Sequence, residues 1–543
     1  MPTKQIATGL VAAALAVTGA AVPAQAAPAG PAAPAPAPAA AAPTAREDGY
    51  RAPKVTGTPH RSEVRPLASV RAASGLPVSI RIFDRDGRAP EPTHVSLVPL
   101  DGGPGFEAEV TDGYLEGLIP DGRYAVTAQV ATGESTTVVH LPDVRPGDLV
   151  LDAREGVRVL PRVDRAGAAP LTASVEVAQR IGDEVLPLAV TWGGAELYVV
   201  PTGPADGLTL RTQAIMTEGG AEEGSPYVYG LANVVEGRVA DPFPATVRTE
   251  TLAAYRTRYG TRGGAACGGS HFGVDWGTGF RLGFYVGVGA LPTVRTEYLS
   301  PGFRWALDSA ITTPDCAFAE LVERSREVAP PRPGRYRRDW HIGPFAPGRS
   351  TAIWSTAGGE PSIAVRLLST WDSGSGLSPY AGTTGTSRLL DAEGREVYRS
   401  DEPGRAHDWA APPPGEYTLV VDAAGRAPWA ESGSAFRGET RFTVRDGEPM
   451  ELPYVRVRTP LDIRNRARAG AAQPITLDVE GGDAAPALRV SHDDGRTWRE
   501  VRVDEAGGVW KATVRNPAGG AVSLRTTVPG VLDQTLIGAY TVR

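Results

Sequence analysis

Lysine is nearly missing from this chain. Among 543 residues only Lys4, Lys54 and Lys511 occur, so the positive charge is carried almost entirely by arginine, and the net charge is −7. A mildly acidic chain without a basic stripe excludes a nucleic-acid partner. Long apolar runs are also scarce. Beyond the first 26 residues no hydrophobic stretch approaches twenty, so no membrane span is expected there. Histidine occurs seven times, at 60, 94, 140, 271, 341, 407 and 492, without a His-Glu-x-x-His segment or paired spacing. The acidic turn at 84–87 and the surroundings of Asp408 lack the twelve-residue calcium pattern and read as solvated turns. Neither a metal nor another cofactor is expected.

The amino terminus has the order of an export signal. Lys4 gives a short basic start, 6–22 are apolar and alanine-rich, and Ala24-Gln25-Ala26 is a small-x-small cleavage site. Cleavage after Ala26 leaves a Pro/Ala-rich tract, 27–71, expected to be an extended disordered spacer. Export to the extracellular space makes pairing of the two cysteines, Cys267 with Cys316, the expected outcome. The alternative is a reactive thiol with a partner such as His271.

Helical periodicity is sparse. The clearest helical segment is 316–325, CAFAELVERS. Strand patterns dominate, as in LPVSIRIFD (76–84), GRYAVTAQV (122–130), EYTLVVDAAG (416–425) and QPITLDVEG (473–481). The predicted class is all-β: serial antiparallel sandwiches of prealbumin-like or immunoglobulin-like type. The turns recur, with Asp shortly before Gly at 83–89, 390–396, 421–427 and 503–510. A second signature places Tyr at a strand start after a Pro-Gly or Pro-x-Gly turn, in IPDGRYAV (119–126) and PPPGEYTLVV (412–421). These patterns divide the chain into sandwiches at 72–152 and 153–244, a Gly-rich cysteine-linked module at 245–328, a linker at 329–338, and sandwiches at 339–449 and 450–543.

Three constellations bear on chemistry. Ser491, Asp493, Gly495, Thr497 and Trp498 form one Ser-x-Asp-x-Gly-x-Thr-Trp box, similar to the Asp-box of sialidases and other β-propellers. A sialidase carries several copies, an arginine cluster and a Tyr-Glu pair, so this single copy reads as a turn. Asp372, His407 and Ser387 supply the residue types of a nucleophilic triad. However, Gly-Thr-Ser here runs into a strand and turn, without the helix that follows a subtilisin nucleophile. Trp276, Trp354, Trp371, Trp409 and Trp429 lie in Gly- and Ser-rich surroundings, where an exposed ring stacks on sugars and a buried one fills a core.

Several longer phrases, among them 337–345, 367–397, 412–427, 452–470 and the stretch from 491 onward, resemble the C-terminal appendage of large secreted subtilisin-like peptidases of actinobacteria. The segments at 78–89 and 119–130 are similar to the part following the catalytic domain there. The resemblance covers about 72–543 and implies accessory sandwich modules. In that family the triad lies upstream, where this chain has a signal and a spacer, so no catalytic residue carries over. The resulting expectation is a secreted, monomeric, non-catalytic protein that binds an extracellular protein or cell-surface component. The alternatives are a carbohydrate- or cell-wall-binding protein, and an unrecognised hydrolase built on the region from Cys267 to Trp276.

Overall fold

A computed structural model describes residues 65–66, 75–193, 196–239, 246–276, 283–312 and, with short interruptions, 316–370 and 384–543. The expected signal peptide and nearly all of the spacer lie outside these residues. The protein is all-β. Among the described residues no α-helix occurs, and several largely antiparallel sheets pack face to face.

Alternation builds the outer strands. In the Leu76–Phe83 strand, Val78, Ile80 and Ile82 are buried while Arg81 faces solvent. This strand pairs with Tyr114–Ile119 and Asp148–Asp152 in a three-stranded sheet. A seven-stranded sheet that includes Thr93–Pro99, Tyr124–Thr132 and Ser135–Val144 covers it, over a core of Ile80, Leu97, Phe106, Val126 and Val139. The other face of that sheet, carrying Val138 and the short strand Leu197–Val199, packs on a second seven-stranded sheet through Val175, Leu210, Met216 and Tyr229. The far face of this second sheet packs in turn on a four-stranded Gly-rich sheet through Tyr255, Phe272, Val286 and Trp305. The result is four layers.

Central strands of the inner layers, such as Ala168–Ile181, are buried on both faces, so alternation disappears from them. All residues from 173 to 178 are buried, including Ser174 and Glu176. Polar groups on such strands need partners inside the protein. Glu176 is paired with Arg211 on the neighbouring strand.

The sheets cross the positions where the sequence suggests module boundaries. Tyr227–Glu236 pairs in parallel with Thr293–Leu299, so one sheet continues across position 244. Ser434–Val444 pairs with Leu532–Val542, carrying the largest sheet across position 449. A four-stranded sheet containing Tyr454–Arg458, Ala472–Glu480 and Val509–Arg515 packs on this sheet over Val455, Leu477, Leu524 and Tyr540.

Three local expectations are corrected. The helical segment at 316–325 contains the strand Ala319–Arg324, which pairs antiparallel with Arg304–Thr312. A short apolar run suits either period, and the available sheet edge decides. The linker at 329–338 contains most of the strand Gly334–Trp340, which pairs in parallel with Ala253–Tyr259. Tyr336 there stacks on Tyr255, with ring centroids 5.1 Å apart, and Arg338 lies over the same Tyr255 ring at 3.9 Å. The turn expected at 421–427 is straight strand as far as Gly425, held by its pairing with Ser434–Val444.

Other turns form as read. Asp84 accepts the backbone N–H groups of Asp86 and Arg88 at 2.9 and 2.8 Å, and Gly87 takes the left-handed conformation between them. Asp391 does the same for Glu393 and Arg395, around Gly394. A third copy, absent from the sequence reading, uses Asp462 with Arg464 and Arg466, and Asn465 occupies the left-handed position. The tyrosine signature has an equally concrete role. The hydroxyls of Tyr124 and Tyr417 donate to the carbonyls of Pro120 and Pro413 at 2.8 and 2.9 Å. Tyr336 repeats this with Arg332 at 2.9 Å. Replacing Tyr124 or Tyr417 by Phe is expected to lower unfolding free energy by about 1 kcal/mol each, read by urea titration.

Candidate functional site

The Asp-box residues fold into a closed hydrogen-bonded turn. Ser491 Oγ donates to Asp493 at 2.7 Å and accepts the Gly495 N–H at 2.9 Å. Asp493 accepts both the N–H and the hydroxyl of Thr497, at 2.9 and 2.6 Å. These bonds, the Thr497 hydroxyl foremost, hold the Asp493 carboxyl well below the usual carboxylate range. Gly495 is left-handed, and a Cβ there would meet Ile537 at 2.7 Å and the Trp498 ring at 3.3 Å. Both Asp493 oxygens are engaged by this turn.

The triad residues fare differently from one another. Ser387 is 1% exposed, in a strand paired on both sides. A buried hydroxyl inside a paired strand is inaccessible to a substrate carbonyl. Asp372 lies outside the described residues, as do Trp371, Trp429 and the side chains of His407, Trp354 and Trp409. Cys267 and Cys316 form the expected disulfide, with Cα atoms 5.2 Å apart. Trp276, half-buried, packs against the core and meets Phe303 edge-on at 5.7 Å.

The acidic turn at 84–87 uses its Asp84 carboxylate for its own backbone. A shallow hollow of about 310 Å³ on the largest sheet is lined by Asp422, Phe436, Arg437 and Ile537. Its Asp422 charge is answered by Arg388 and Arg437, each at 3.7 Å.

Burial shapes the titration of the interior groups. His140, 1% exposed between the two seven-stranded sheets, meets Thr127 at 2.9 Å and Gln179 at 3.0 Å. Burial pushes its imidazole down to about 4, against the Gln179 contact, which favours the charged form. His341, bonded to Ser309 at 2.9 Å, is pushed by burial to about 3. Both rings are therefore neutral when folded, and they gain protons near their ordinary value of 6.5 on unfolding. Stability contributed this way is intact above pH 6.5 and falls as pH drops toward 4 and below. His140→Gln is expected to remove about 3 kcal/mol of the stability lost between pH 6.5 and 4. The readout is the slope of unfolding free energy against pH.

The densest polar cluster lies between the second seven-stranded sheet and the Gly-rich sheet. Glu297, 1% exposed, is contacted by Arg295 at 3.1 Å, Arg338 at 3.1 Å, the Thr257 hydroxyl at 2.8 Å and the Tyr259 hydroxyl. Tyr259 also meets Ser270 at 2.7 Å across the layers. Burial pushes the Glu297 carboxyl up, but the two guanidiniums and the hydroxyls outweigh it and hold the group below its ordinary value. Burial raises the Tyr259 phenol. The cluster is sealed between layers, so its role is to fasten them.

The outward face of the Gly-rich sheet is different. Along Ala266–Asp275, Ser270, Phe272 and Val274 point inward, which turns His271 out. In register with it stand Tyr285 on Gly283–Leu291 and Asp308 on Arg304–Thr312. Tyr285 is 52% exposed. The sequence reading singled out His271 but not Tyr285 or Asp308. The signal was present, because both follow the same alternation as the apolar residues beside them.

No family model matches this chain, and no curated protein matches it either.

Proposed function

We propose that this chain is a secreted, non-catalytic β-sandwich scaffold that binds an extracellular protein or a cell-surface component. In this reading it is related to the accessory region of actinobacterial subtilisin-like peptidases. The observation that carries it is the division of polar groups. The buried ionisable side chains Glu176, His140, Glu297 and His341 bond to the protein's own layers. By contrast, Tyr285, in register with His271, is half-exposed on the outer face of the Gly-rich sheet. A rigid sheet face with fixed side chains is preorganised for binding.

The test uses purified chain on isolated cell envelopes and on proteins of the native culture fluid, together with an active-site serine probe. Saturable retention on the envelope or on a defined culture protein, with no probe labelling, is expected. Probe labelling that is lost on Ser387→Ala would overturn the non-catalytic reading.

A further inference from the structure

We infer that the outward face of the Gly-rich sheet, centred on Tyr285, is a saccharide-binding platform. This deepens the binding function proposed above and rests on it. The platform is built by reciprocal use of glycine on two adjacent strands. A Cβ added at Gly269 would overlap the Tyr285 ring, so that ring lies across the glycine of the neighbouring strand. A Cβ added at Gly283 would stand 2.8 Å from His271 Nδ1, so the imidazole lies across the glycine of the strand opposite. Each ring is thus backed by bare backbone, and Tyr285 keeps half its surface toward solvent. The two ring centroids are 6.5 Å apart, with planes inclined at 54°. That makes a shallow angled seat.

Three features point to a sugar. A half-exposed aromatic ring backed by backbone offers stacking to the C–H side of a pyranose. Glu223, whose side chain covers Gly287 two residues along the strand from Tyr285, brings a carboxylate near the ring. Carboxylates placed beside a stacking ring accept hydrogen bonds from sugar hydroxyls. Finally, Gly273 and Ala306, partners in register, place small residues in the row beside His271. All the named groups except Glu223 sit on strands, so their spacing is fixed before a ligand arrives.

The experiment measures retention of the full chain on insoluble chitin, cellulose and peptidoglycan, followed by affinity electrophoresis in a soluble fragment of whichever polymer retains it. Wild type is expected to bind at least one. Tyr285→Ala is expected to weaken binding about tenfold or more, the scale of one lost stacking contact. Tyr285→Phe, which keeps the ring, stays within about threefold. Tyr285→Ile keeps a β-branched cover over Gly269 and removes only the ring plane, so its loss of binding separates stacking from folding. Tyr114→Ala, at an exposed tyrosine on another sheet, leaves binding unchanged. Retention on none of the three polymers, or equal retention by Tyr285→Ala and Tyr285→Ile, overturns the inference. Retention on envelopes or on a culture protein that survives these variants overturns it too, while leaving the scaffold function standing.

Discussion

Glu297→Gln is expected to cost about 4 kcal/mol of unfolding free energy at pH 7, in the range found when one partner of a buried ion pair is removed. Among the described residues this carboxylate is the one anion paired with the two guanidiniums of Arg295 and Arg338, which are themselves 2% and 9% exposed. Neutralising it leaves two positive charges between packed sheets. Aromatic faces offset only part of this: Arg338 lies 3.9 Å from the Tyr255 centroid, and Arg295 lies 5.1 Å from that of Tyr259 and 5.7 Å from that of Phe272. One nitrogen of each guanidinium already has no hydrogen-bond partner among the described residues. The charge, more than the shape, is what the glutamine fails to replace. Replacing Arg295, Glu297 and Arg338 together by leucine should therefore be less damaging than Glu297→Gln alone. Urea titration of the two variants checks both statements, and a triple variant less stable than the single one would contradict them.

The second large effect is expected at Asn465. Its side chain, 4% exposed, donates to the carbonyls of Thr261 and His341 at 2.9 and 2.6 Å and accepts the Gly343 N–H at 2.7 Å. It thereby ties three segments far apart in sequence. Around it the Thr261 N–H donates to the Ile463 carbonyl at 3.1 Å, Arg262 reaches the Gly538 carbonyl at 2.7 Å, and Arg466 pairs with Glu431 at 2.7 Å. Asn465→Ala removes all three amide bonds and forces an alanine into left-handed backbone. Buried groups left unpaired and the backbone penalty add up to about 4 kcal/mol. Asn465→Gly relieves only the backbone part and should recover about 1 kcal/mol. Limited proteolysis should show cleavage near 261–263 appearing in the alanine variant before global unfolding. Equal stability of wild type and Asn465→Ala would remove this joint from the account.

How far the sequence reveals the fold depends on where each residue's physics is decided. The Asp-Gly turns at 84–87 and 391–394 were legible because glycine marks the left-handed residue and aspartate marks the cap. The third copy was not, because Asn465 replaces glycine so that its amide reaches the joint. The strand Gly334–Trp340 was hidden by a Pro/Arg composition that suggests a linker, although the Pro333-Gly334-Arg335-Tyr336 run repeats the tyrosine signature. The Thr293–Leu299 strand inverts the usual pattern. Val294 faces solvent at 38% exposure, and Arg295 and Glu297 face the core, so alternation alone gives the wrong face. The central strand Ala168–Ile181 of an inner layer loses alternation over 173–178, and that concealed the stacking of layers across position 244. The Asp-box turn, the disulfide and the all-β class rest on local geometry or compartment, and the structure contains each of them.

Buried polar groups fasten the layers to one another. Native-state hydrogen exchange at increasing urea tests this most directly, by following the Ala168–Ile181 and Ala266–Asp275 strands. The account predicts that both lose protection in one cooperative opening, and that Glu297→Gln shifts the two together. Separate openings, with only one strand responding to the variant, would contradict it.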